Sequence, residues 1–108
     1  MAFDFDKVFG AALDAGVSAA KPGGQAAKNW VIESAKANED TLRSIAQAIL
    51  EKQISKETAE MLLRENARAL RSEAAALAVI IKATAQAAIN AFLDSLFSAL
   101  KSTLKLAL

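Results

Sequence analysis

Ala74-Ala75-Ala76-Leu77-Ala78-Val79-Ile80-Ile81-Lys82-Ala83 opens a stretch, residues 74–93, that carries one charge and no Gly or Pro. A helix that is apolar around its whole circumference has to be surrounded, by protein or by lipid. The length suits a membrane span. Against a span stand Lys82 near the middle, Gln86, Asn90 and many weakly hydrophobic alanines. A central Lys costs about 2.5–3.5 kcal/mol on insertion scales. The stretch therefore reads as the central helix of a protein bundle, with membrane contact as the second reading.

Toward the N-terminus of this stretch the face is set by Ala59, Leu63, Asn66, Leu70, Ala74, Leu77, Ile81 and Ala88, which align when each residue is turned by about 100°. Glu60, Arg64, Arg68, Arg71, Lys82 and Gln86 fall on the opposite side. Toward the C-terminus Leu93, Leu96, Phe97, Leu100 and Leu104 land on the side that carried the arginines. The apolar stripe thus changes sides between Gln86 and Leu93. Either the helix breaks or kinks there, or its last third packs on a different neighbour; two segments are preferred, a helix to about residue 90 and another over 91–107. The last one is amphipathic, with Lys101 and Lys105 off its apolar face, and resembles a surface-seeking helix.

Upstream, Ser55 is a good N-cap and Glu57 suits the positive helix end. The short turn at Gln53-Ile54 predicts an antiparallel hairpin between this helix and the one before it, over 25–52. That preceding helix carries Trp30, Val31, Ala35, Asn38, Leu42, Ile45, Ile49 and Leu50 on its stripe. Asn38 sits on the apolar side. It reads as a polar register device in a continuous helix, or as a local N-cap with the helix restarting at Glu39-Asp40; the continuous helix is preferred. A first helix over 5–20 is capped by Asp4, with Phe3 and Val8 as a hydrophobic staple. Lys21-Pro22-Gly23-Gly24 stops it.

Every Gly and the one Pro lie within the first 24 residues, and about a quarter of the 108 residues are Ala, the best helix former. Strand-type alternation is absent. The expected fold is one all-α domain over 1–108, a helical hairpin or bundle of three to four helices (about 5–20, 25–52, 56–90 and 91–107), completed by oligomerisation. Net charge is +1, too balanced to point to nucleic acid. The row Arg64, Arg68, Arg71 and Lys82 has Glu57, Glu60, Glu65 and Glu73 within helix-neighbour reach, so a salt-bridged face is expected. There is no Cys and no His, which removes thiolate nucleophiles, Cys-based metal sites and the usual near-neutral acid–base group. Glu33, Glu51, Glu57 and Glu60 would have to meet inside an apolar core to hold a metal. Neither cofactor, metal nor enzymatic activity is expected. Asp4 and Asp6 stand where a signal peptide carries cations, so a cytoplasmic location is expected.

The apolar surface exceeds what a chain of this size hides, because about 35–40% of the unfolded-chain surface stays exposed in so small a domain. Covering even about 800 Å² at about 25 cal/mol per Å² favours association by many kcal/mol before entropic costs. The predicted interface is Leu77, Ile80, Ile81, Ala87, Ala91, Leu93, Leu96, Phe97, Leu100 and Leu104. Small residues at Ala74, Ala78, Ala83, Ala87 and Ala91 would let two helices approach closely. The function expected is non-enzymatic: helical self-assembly, with a dimer preferred, or an adaptor for another helical protein. Membrane docking through the 74–108 region is the alternative.

Overall fold

Asp4 caps the first helix, its side chain accepting from the Lys7 N–H at 3.2 Å. In the computed structural model, which describes residues 3–108 with the side chain of Ile80 excepted, this helix is α1, Phe5–Ala19. Pro22 sits in a short 3-10 turn over Lys21–Gly23. Gly24 then adopts φ +71°, a left-handed conformation that side chains resist. It opens α2, Gly24–Ala37.

The predicted continuous helix over 25–52 is corrected here. α2 ends at Asn38, and α3 spans Glu39–Leu50. The reason lies in the Asn38 side chain, whose amide donates to the Ser34 carbonyl at 2.8 Å. That side-chain bond competes with the backbone ladder, as Asn commonly does. Asn38 Oδ1 in turn accepts from the Asn66 amide at 2.9 Å, tying the break to the next helix. α3 restarts with Glu39 and Asp40 in its first turn, where negative charge complements the helix dipole.

The hairpin expected at Gln53-Ile54 is present. Lys52 turns the chain with φ +58°. Ser55 caps α4, Lys56–Ala75, its Oγ accepting from the Thr58 N–H at 3.1 Å. The boundary predicted near residue 90 is also corrected. The chain breaks at Ala76–Ala78, and α5 runs unbroken over Val79–Leu104. At about 1.5 Å per residue α5 is about 39 Å long, close to the full 43 Å extent of the molecule. Among the described residues there is no strand, and the all-α class holds, with five α-helices.

α5 runs back along α4: Arg71 Nε donates to Asn90 Oδ1 at 3.1 Å, and the Ala107 N–H donates to Glu60 at 2.7 Å. On another side it packs antiparallel to α1. Phe9 meets Phe92 edge-on with ring centroids 5.6 Å apart, and a Cβ at Gly16 would lie 3.2 Å from Ala88, Phe92 and Val31. α2 also packs on α5. A helix packed against several neighbours needs a broad apolar face. The buried Ala85, Ala88, Ile89, Phe92, Leu93, Leu96, Leu100 and Leu104 share one such face, about 160° wide at about 100° per residue. The change of sides expected from the sequence came from carrying the helical count through the break at Ala76–Ala78.

Candidate functional site

Central placement of α5 decides what the ten predicted interface residues can do. Leu93, Leu96, Leu100 and Leu104 are buried in the chain's own core. Within one copy of the chain they have almost no area left to offer a partner. Leu77 and Phe97 are half-buried and pack on that core. Ile81 and Ala91 are half-buried, and Ala87 is exposed. The Ile80 side chain lies outside the described residues. Large apolar side chains that do face outward are Leu50 (50% exposed), Met61 (51%) and Val79 (86%). Among the described residues no helix is long and apolar enough to cross a membrane, and no three potential metal-ligating side chains gather.

A cleft of about 520 Å³ lies between the start of α1 and the end of α3. Phe3, Phe5, Ala46 and Leu50 line it, with Asp4, Asp6, Arg43 and Gln47. Its one cation is already engaged. Arg43 pairs with Asp6 at 2.6 Å and with Glu39 at 2.9 Å, and stands 5.0 Å above the Phe5 ring. The Asp6 hydrogen bond, foremost, raises the Arg43 pKa further above the guanidinium range. This corner is a tie between α1 and α3 rather than an open charge.

A different arrangement lies between α4 and α5. Three adjoining clefts of about 420, 330 and 410 Å³ run along their seam. Arg71 lines all three, and Arg64 and Phe97 line two, so they form one continuous groove. The α4 wall is Arg64, Arg68, Arg71 and Ala75. The α5 wall is Asn90, Asp94, Phe97 and Lys101. Positions 64, 68 and 71 fall on one flank of a helix and span about 10.5 Å along its axis.

The salt-bridged face expected from Glu57, Glu60, Glu65 and Glu73 does not form. Among the described residues, the ion pairs are the two made by Arg43. Glu60 is taken instead by the Ala107 N–H. Arg64 donates to the Ala107 carbonyl and Arg71 to Asn90. Both arginines thus satisfy part of their hydrogen-bonding capacity on neutral groups, and among the described residues neither makes an ion pair, although Asp94 lines the same cleft. Arg68 makes neither a hydrogen bond nor an ion pair within the described residues.

Sequence reasoning found the arginine row but assigned it to paired solvent face. Helical arithmetic within α4 puts Arg64, Arg68 and Arg71 on one flank, but their facing Phe97 and Lys101 cannot be read across the break at Ala76–Ala78 and follows only from the return of α5 along α4. No family model, no curated protein and no solved structure matches this chain.

Proposed function

We propose that the chain is a non-enzymatic interaction protein that receives a helical segment of another protein in the α4–α5 groove. The observation that carries this reading is the row of Arg64, Arg68 and Arg71 on one flank of α4 beside half-buried Phe97, none of the three in an ion pair among the described residues. Aromatic and Arg side chains are the types most enriched where binding energy concentrates. Arg68, and the donors that Arg64 and Arg71 do not spend on Ala107 and Asn90, can form charge-assisted hydrogen bonds with an incoming partner. The leucines of α5 supply the rigid floor under this surface, rather than the surface itself.

A photo-crosslinking residue placed at Ser72 or Ser98, both exposed on the groove's rim, tests the reading in the native host. An adduct with another protein from these positions, and none from exposed Ser18 on α1, is the expected outcome. No adduct from either rim position removes the proposal. Self-assembly is the second reading, favoured by the outward-facing Leu50, Met61 and Val79. Light scattering on the purified chain separates the two: a concentration-dependent rise in mass that Leu50→Ser and Met61→Ser abolish supports assembly through those residues.

A further inference from the structure

We propose that the segment taken up by the α4–α5 groove is an acidic amphipathic helix, docked in one orientation set by Asp94. This rests on the reading of the groove as a protein-docking surface and names the chemistry of its occupant. Arg64, Arg68 and Arg71 repeat at four and three residues on α4. A second helix laid along α4 presents carboxylates at the same spacing when they stand at positions i, i+3 or i+4, and i+7. Three charges can then meet three charges without distorting either helix. Ala67 is buried beneath the arginines, and exposed Ala75 lies just past Arg71, with Phe97 half-buried across the cleft. Phe97 offers an aromatic face to one or two apolar side chains of the occupant.

Charge decides against the other occupants. At a two-fold axis through this groove, Arg64, Arg68, Arg71 and Lys101 of one copy would face the same four cations of the other, with one Asp94 each to offset them. Like-charge juxtaposition of that kind selects against a partner. A nucleic-acid backbone would meet Asp94 on the α5 wall, and no series of aromatic side chains is present to stack successive bases. For a helix, by contrast, Asp94 is useful. It attracts a Lys or Arg on the occupant's far flank and repels an occupant docked the other way round.

The test uses the full chain and a fluorescein-labelled synthetic helix with Glu at i, i+4 and i+7, Leu on the adjoining positions and one Lys on the opposite flank. Binding is read by fluorescence anisotropy at low salt. Arg68→Glu is the main variant, because Arg68 makes no hydrogen bond or ion pair among the described residues, and Ser72→Glu on the same rim is the second. Circular dichroism confirms that each remains helical. The expected result is saturable binding that weakens about tenfold in either variant and by a similar factor on raising NaCl from about 50 to about 300 mM. A helix with Lys in place of each Glu is expected to prefer the Arg68→Glu chain. Failure of the acidic helix to bind, or unchanged binding in both variants, overturns the proposal. So does tighter binding of an oligo-dT strand or of phosphatidylglycerol vesicles that Arg68→Glu weakens, since that assigns the groove to phosphates. Rim crosslinks to another protein alongside no binding of the acidic helix would retain the docking surface and discard the acidic occupant. Absence of both would discard both.

Discussion

Gly10 and Gly23 are alike in sequence terms and opposite in what surrounds them. A Cβ at Gly10 meets nothing within 4 Å, whereas one at Gly23 would stand 2.6 Å from the Ala27 Cβ and 2.8 Å from Thr84 Cγ2. Gly10→Ala is therefore expected to stabilise by about 0.5–1 kcal/mol, through helix propensity alone. Gly23→Ala should destabilise by about 1–3 kcal/mol, because α2 and α5 must separate. Thermal melts of the two variants check both signs. Asn38 and Asn66 make a second residue-scale case. Asn66 Oδ1 is buried without a partner, and its amide nitrogen depends on Asn38. Asn38→Ala leaves that nitrogen unpaired as well, at about 1–3 kcal/mol. In an Asn66→Ala background the same change should cost clearly less, and a double-mutant cycle by urea unfolding measures the difference. Additive costs would show that the two amides do not act together.

Among the elements, α4 has the clearest local start. Ser55 Oγ accepts from Thr58 N–H and also pairs with Thr58 Oγ1 at 3.0 Å. Ser55→Ala should lose about 1 kcal/mol, read as a shift in the urea midpoint at unchanged slope. The caps at Asp4 and Ser55 and the stop at Pro22 were legible because each depends on residues within one helical turn. Asn38 showed where a change could occur but not which one. The break follows from bonds to Ser34 and Asn66, and Asn66 lies on another helix. At Ala76–Ala78 no Gly or Pro marks the reversal. Alanine prefers helix, and the return packing of α5 overrides that preference here.

At the scale of the molecule, the placement of α5 determines which surface is free. Leu96→Ala is expected to cost about 2–5 kcal/mol, and the loss should be the same across a hundredfold range of protein concentration, as for a core residue. A loss that grows on dilution would place Leu96 in an interface between copies. The same placement separates the readable from the unreadable part of the groove. Arg64, Arg68 and Arg71 share a flank by helical arithmetic. That they face Phe97 and Lys101, instead of their own glutamates, depends on how α5 returns along α4. Raised salt should leave the fold's melting temperature nearly unchanged, since the ion pairs found are the two of Arg43, while weakening anything held in the groove. Calorimetry with and without the acidic helix reads both effects.

The amino-acid order alone determined that this chain is helical, where its first helix starts and stops, and that Ser55 begins an antiparallel return. Those outcomes rest on backbone propensity and capping, which act over three or four residues. Tertiary structure alone decided that α5 is one helix at the centre, that its leucines serve the chain's own core, and that a row of arginines borders a groove. The physical reason is that an apolar side chain carries no address: burial rewards any neighbour that excludes water, and only the assembled packing selects which one.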